Sequence, residues 1–282
     1  MTLTTISEQR CYNGTVGFYS HASASTGGTM RFGVFRPPGR GPFPVLTYLA
    51  GLTCSEETFL IKAGAARYAA EAGLMLVAPD TSPRGHNVPG EAESWDFGVG
   101  AGFYLDATRD PWRKHWRMES YLVRELLPQI EQQLPIAAGL VSIFGHSMGG
   151  HGALTLALRH PRRFVSVSAF APICAPSRCP WGRKAFGGYL GNDESQWRAH
   201  DASALMGWHA HAPYPRGILV DQGLADKFLA EQLLPEAFEA ACAKAGQPLT
   251  LRRHGGYDHG YYFVSTFVAD HLRFHHEALM LG

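Results

Sequence analysis

No apolar stretch of the chain approaches the roughly 20 residues a helix needs to cross a bilayer, so a helical membrane span is excluded. Met1 to Arg10 carries Glu8 and Arg10 and has no apolar core segment, so no secretory signal is expected there. Neither sign of charge is in excess, with Lys and Arg numbering 25 against 24 Asp and Glu for a formal net charge of +1. No basic stripe with interleaved aromatics is present, so nucleic acid is not an expected partner. Cysteine is scarce and scattered. The five (Cys11, Cys54, Cys174, Cys179 and Cys242) fit reduced thiols in a cytoplasmic protein better than a disulfide framework. Repeats and low-complexity linkers are missing too. What remains is 282 residues, 45% of them hydrophobic, enough for one large core. The chain reads as a single domain over residues 1–282.

Extended runs come first, at about Cys11 to Ser20, Met30 to Arg36 and Val45 to Ala50, with Pro37-Pro38-Gly39 as a turn. Ser55-Glu56-Glu57 has the hydroxyl and acidic first turn of a helix start, and that helix is expected to reach about Glu71 before Gly73. Strands are expected at Leu74 to Ala78, Leu140 to Phe144, Phe164 to Phe170, Ile218 to Asp221 and Leu249 to Arg253. Helices are expected from Trp116 to Leu134, after Ser147, from Pro235 to Ala245 and from Tyr261 to His276. Two stretches, residues 81–115 and 172–215, have no clear period and are expected to build a site. Strands alternating with helices imply an α/β fold whose central sheet is mostly parallel, with helices on both faces.

The most informative run is Gly145-His146-Ser147-Met148-Gly149-Gly150, set between the apolar Leu140-Val141-Ser142-Ile143-Phe144 and the helix-prone Gly152 to Leu158. Strand, G-x-S-x-G and helix in that order make the nucleophile elbow of α/β-hydrolases. A serine there stands clear of the backbone, and the helix start behind it offers free N–H groups to a developing oxyanion.

A serine hydroxyl needs a histidine to accept its proton, and that histidine needs an acceptor on its other nitrogen. In this fold the order along the chain is Ser, then Asp or Glu, then His. His259, in the Gly-rich loop after the last strand, is the preferred histidine, with His254 as runner-up. Asp226, just past a strand end, is the preferred acid, and Asp221 at the strand terminus competes with it. His151 shares the elbow helix and reads as a packing residue, and His146 is expected to point away from Ser147. Leu52, after an early strand, and Met148, after the nucleophile, are expected to supply the two oxyanion N–H groups.

Beyond the elbow, the chain carries the runs Gly51-Leu52-Thr53-Cys54-Ser55-Glu56-Glu57-Thr58-Phe59, Asp80-Thr81-Ser82-Pro83-Arg84-Gly85, Gly100-Ala101-Gly102-Phe103-Tyr104 and Cys179-Pro180-Trp181-Gly182. On these and the elbow, it resembles the S-formylglutathione hydrolase (esterase D) family from about Tyr19 to Leu279. It implies hydrolysis of S-formylglutathione to glutathione and formate, with Ser147, Asp226 and His259 as triad and Leu52 and Met148 at the oxyanion. It further implies no metal or organic cofactor, activity on simple esters, and a homodimer as the common assembly. For so small an acyl group, Trp181 and Cys54 are candidate pocket walls. Arg84, Arg183 and Lys184 are candidate cations for the carboxylates of glutathione.

Three other functions compete with this one. A broader acyl esterase or acyltransferase shares the fold. A non-enzymatic binding module would have lost a triad member. A metal enzyme would need more than His209-x-His211 and Cys174-x4-Cys179, whose spacings match no zinc motif.

Overall fold

Short runs rich in Val, Ile, Phe and Tyr pair into one nine-stranded sheet in this computed structural model, which describes residues 2–281. The strands are β1 (Thr4–Cys11), β2 (Gly14–Ala22), β3 (Thr29–Arg36), β4 (Phe43–Leu49), β5 (Met75–Pro79), β6 (Ile136–His146), β7 (Val167–Phe170), β8 (Ile218–Gly223) and β9 (Leu249–His254). Their order is β1-β2-β3-β5-β4-β6-β7-β8-β9. The β1, β2 and β3 edge is antiparallel, and from β5 through β9 every neighbouring pair is parallel. The expected α/β architecture is therefore present. All seven residues of β4 and all five of β5 are buried, as strands covered on both faces must be.

Several expectations need correction. β1 was not foreseen, because an edge strand with mostly exposed polar residues has no apolar alternation to betray it. The helix expected from Ser55 to Glu71 is two helices, Glu56–Lys62 and Ala65–Ala72, separated at Gly64, whose φ is 65°. Ser55 does cap the first, with a reciprocal bond between the Ser55 N–H and the Thr58 hydroxyl. Residues 172–215 are not irregular throughout: Pro180–Leu190, Glu194–Trp197 and Ala202–Met206 are helical. Glycines inside the first of these (Gly182, Gly187 and Gly188) hid its period.

The last helix, Tyr261–Met280, packs on Ala65–Ala72 and across β6, β7 and β8. His271 and His275 on it are buried and face the sheet, in a chain of hydrogen bonds with Ser168, Ser166 and Ser142 at 2.7–2.8 Å. Beyond His271 lies the buried Asp221 carboxylate, 3.3 Å from Nε2. The Ser168 hydroxyl bridges the two imidazoles, and the Ser166 hydroxyl bridges His275 and Ser142.

A Cβ at Gly64 would meet nothing within 4 Å, whereas one at Gly149 would overlap the Leu49 carbonyl. Gly64→Ala should therefore cost only the left-handed backbone penalty, about 1–2 kcal/mol, in urea unfolding. Gly149→Ala should cost clearly more, because the colliding atom is backbone. Equal losses would refute this account.

Candidate active site

β6 ends at His146, and the chain turns at Ser147 straight into the helix Met148–Arg159. Ser147 has φ 59° and ψ −121°, a backbone state that residues other than glycine rarely adopt. Its neighbours hold it there. The Ser147 N–H donates to the Phe170 carbonyl at 3.0 Å, and the Ser147 carbonyl accepts from the His151 N–H at 2.9 Å. Gly145 is required as well, since a Cβ on it would overlap the Gly149 carbonyl.

Loops after β8 and β9 converge on that serine. His259 Nε2 lies 2.9 Å from Ser147 Oγ, and its Nδ1 lies 2.5 Å from Asp226 Oδ2. A carboxylate cannot donate, so Nδ1 carries the hydrogen and Nε2 is free to accept the serine proton. Asp226 is only 5% exposed; its other oxygen accepts from the Phe228 N–H at 2.8 Å, and Gln222 Nε2 donates to Oδ2 at 3.4 Å. The competing residues pair with each other instead. Asp221 takes two bonds from Arg252, at 2.6 and 2.5 Å, and stands 3.4 Å from His254. Burial alone would raise the Asp221 carboxyl, but His271 and Arg252 outweigh it and hold it at about 2.

The loop carrying Leu52 is braced by the long segment after β5. Gly100 accepts from the Thr53 N–H at 2.9 Å, and the Tyr104 hydroxyl donates to the Ala50 carbonyl at 2.9 Å. Both the Thr81 hydroxyl (2.6 Å) and the Arg84 guanidinium (3.1 Å) donate to the Cys54 carbonyl. Gly51 sits against the nucleophile, where an added Cβ would be 3.1 Å from that of Ser147. No acceptor within the protein meets the Leu52 or the Met148 N–H among the described residues.

A cavity of about 270 Å³ opens over these groups, lined by Gly51, Leu52, Thr53, Cys54, Trp95, His146, Ser147, Trp181, Phe228, His259 and Tyr261. Cys54 and Trp181 are thus on its wall. Burial pushes the Cys54 thiol up, so it is protonated at neutral pH. Lys184 is not on the wall, since its ammonium pairs with Asp96 and donates to the Ser94 hydroxyl at 2.7 Å. Arg183 pairs with Glu194 at 2.7 Å, and Arg84 with Asp80 at 2.7 Å. His146 does not point away: its ring centroid is 4.6 Å from that of His259 and 5.8 Å from that of Tyr261. Burial first, and then the nearby His259, hold the His146 imidazole well below the usual histidine range. His151 packs as foreseen, with Nε2 3.2 Å from the Phe103 carbonyl. Trp95, Phe228 and Tyr261 went unforeseen, although the latter two lie two residues beyond Asp226 and His259. Among the described residues no group of three or more His, Cys, Asp and Glu is placed to hold a metal ion.

A family model, Esterase ("Putative esterase"), matches residues 23–274. S-formylglutathione hydrolase of Mus musculus is 51% identical over 278 residues, covering 98% of this chain and 98% of its own. The Arabidopsis thaliana enzyme of that name is 49% identical and covers 99% of both chains. The chain belongs to the S-formylglutathione hydrolase family. The solved structure of the family member from Agrobacterium tumefaciens superposes with a TM-score of 0.94 at 48% identity, over 98% of this chain and 99% of that one. A ferulic acid esterase, 20% identical with a TM-score of 0.73 over 95% of this chain, shares the fold alone.

The Asp221 cluster gives a pH signature with a definite sign. Its carboxyl is lower folded than its ordinary 3.8, so its contribution is complete above about pH 4 and fades as pH falls toward 2. Asp221→Asn should melt below wild type at neutral pH, and the gap should close between about pH 4 and about pH 2. A gap that stays constant across that range, followed by circular dichroism, would be the contrary result.

Proposed function

We propose that this chain is a serine hydrolase that cleaves the thioester S-formylglutathione to glutathione and formate, and that it also accepts short-chain carboxylic esters. The observation that carries the reading is the relay Asp226–His259–Ser147 at the floor of a small apolar cavity, in a chain of this family. In the first half-reaction His259 Nε2 takes the Ser147 proton as Oγ bonds to the formyl carbon. The carbonyl oxygen becomes an oxyanion facing the Leu52 and Met148 N–H groups. Preorganised donors of this kind are worth roughly a hundred- to a thousand-fold in rate. Collapse breaks the carbon–sulfur bond as the His259 imidazolium gives its proton to the sulfur, so glutathione leaves as the thiol, a formyl ester stays on Ser147 and Nε2 is free again. In the second half, His259 takes a proton from water, the hydroxide adds to the same carbon, and Ser147 leaves as the proton returns to it. Asp226 keeps the imidazole in the right tautomer throughout.

At about 270 Å³ the cavity, walled by Trp181, Cys54, Leu52 and Phe228 among others, holds a formyl group with room left for the atoms next to the sulfur. One continuous sheet supports the reading of the chain as a single domain. No helix among the described residues is long and apolar enough to cross a membrane. A cytoplasmic location and a homodimer are further parts of the proposal and rest on the family resemblance.

Ser147→Ala and Asp226→Asn should each lower kcat on S-formylglutathione by about 10⁴-fold or more. Residual activity within tenfold of wild type in either variant would remove that residue from the triad. For Cys54, a bulky maleimide should inhibit slowly at neutral pH by filling the cavity, and Cys54→Ser should resist it. Unchanged sensitivity in the variant would make Cys54 a bystander.

A further inference from the structure

The cavity walls have no charge to offer a carboxylate. Its side chains are those of Leu52, Thr53, Cys54, Trp95, Trp181, Phe228 and Tyr261, together with a neutral His146 and the two catalytic groups Ser147 and His259. With the acyl end of a thioester held over Ser147, the rest of the molecule must leave through the mouth, where charge recognition has to occur. Of the cations expected there, Arg84, Arg183 and Lys184 are each committed to a carboxylate of the protein. Within two positions of any lining residue the chain has just two cations, Arg183 and Lys227. Lys227 is exposed and meets no carboxylate among the described residues. Its ammonium instead lies 4.9 Å from the ring centroid of Phe228. That ring is itself a wall of the cavity, 5.1 Å from the His259 ring and 4.7 Å from that of Trp181. Beside Trp181, at 5.6 Å, Trp95 leaves 57% of its surface exposed, an apolar ledge at the rim.

We propose that Lys227 is the carboxylate-reading residue of this site and pairs with the glycyl carboxylate of the glutathionyl leaving group while the peptide lies along Trp95. The inference rests on the hydrolase reading above. The choice of carboxylate follows from charge: the γ-glutamyl end carries an ammonium beside its carboxylate and is locally neutral, whereas the glycyl end is a lone anion. A single unpaired lysine matches the lone anion. Lys227 acts on specificity and takes no part in proton transfer.

The test is steady-state kinetics with two substrates, S-formylglutathione and its C-terminal glycyl amide, in which that carboxylate is replaced by a neutral group. For wild type, loss of the glycyl charge should raise KM about three- to fivefold, the size of an exposed ion pair. Lys227→Met should raise KM for S-formylglutathione by about the same factor with kcat retained, and should no longer distinguish the two substrates. Lys227→Arg should restore the distinction. The wild-type KM should rise with salt, and that of Lys227→Met should respond much less. An unchanged KM in Lys227→Met overturns the proposal. So does an equal loss on S-formylglutathione and on p-nitrophenyl acetate, because it would mean that the substitution disturbs the neighbouring Asp226. If Lys62→Met, which removes a charge that reaches the Cys54 thiol, reproduces the KM effect while Lys227→Met does not, the carboxylate is read from the Cys54 side and Lys227 is excluded. A wild-type enzyme that cleaves p-nitrophenyl acetate but not S-formylglutathione refutes the hydrolase reading itself, and the inference falls with it.

Discussion

One backbone conformation organises this protein: Ser147 at φ 59°, between the end of β6 and the first turn of a helix. Such a state costs on the order of 1–3 kcal/mol and persists only where its surroundings over-determine it. Here β4 and β7, on either side of β6, supply the constraint. The Phe170 carbonyl at the end of β7 receives the serine N–H, and the Leu49 carbonyl at the end of β4 lies where a side chain on Gly149 would have to be. The elbow is therefore a property of three parallel strands in register. A five-residue motif outside that sheet would relax to an ordinary turn.

Around the elbow, the site is assembled from loops that differ in what holds them. The Asp226 and His259 loops leave the C-terminal ends of β8 and β9, so the sheet itself brings acid and base to the serine. This is where open parallel sheets commonly place their ligands. The Leu52 loop is held from outside the sheet. Tyr104, Gly100, Thr81 and Arg84 each spend a hydrogen bond on its backbone, and Asp80 anchors Arg84 in turn with bonds at 2.7 and 2.8 Å. The long segment after β5 thus fixes the position of the Leu52 N–H, the proposed oxyanion donor, a role for which loose structure would be useless. Polar groups away from the site serve the frame. Arg252, His254 and His271 cluster around the buried Asp221 at the end of β8, and Ser168, His275, Ser166 and Ser142 continue the cluster along the sheet. Polar networks of this kind hold neighbouring elements to one arrangement.

Much of the site is legible in the sequence alone, because the elbow combines a motif with a mechanism. Ser147, His259 and Asp226 came from chemistry plus chain order, and the structure brings their side chains within hydrogen-bonding distance. Asp221 and His254 could not be dismissed on the same grounds, since both also sit at strand ends. Their mutual proximity, with Arg252 between, distinguishes a structural pair from a catalytic one. His146 was misplaced because the direction of a side chain at a strained turn depends on what packs beside it. Here that neighbour is His259, 112 residues beyond the neighbouring Ser147 in the chain.

Local order in the chain determined the alternation of strands and helices, the elbow, and the choice of the proposed nucleophile, base and acid. Each of these depends on neighbours in sequence or on a chemical requirement that few residue types meet. Tertiary structure alone decided the break at Gly64, the helices within residues 172–215, the aromatic walls contributed by Trp95 and Phe228, and the fate of each cation near the mouth. Arg84, Arg183 and Lys184 looked alike in the chain as free positive charges. Whether a charge is free or spent depends on which carboxylate folding brings within about 3 Å of it, and no pattern along one strand of sequence encodes that.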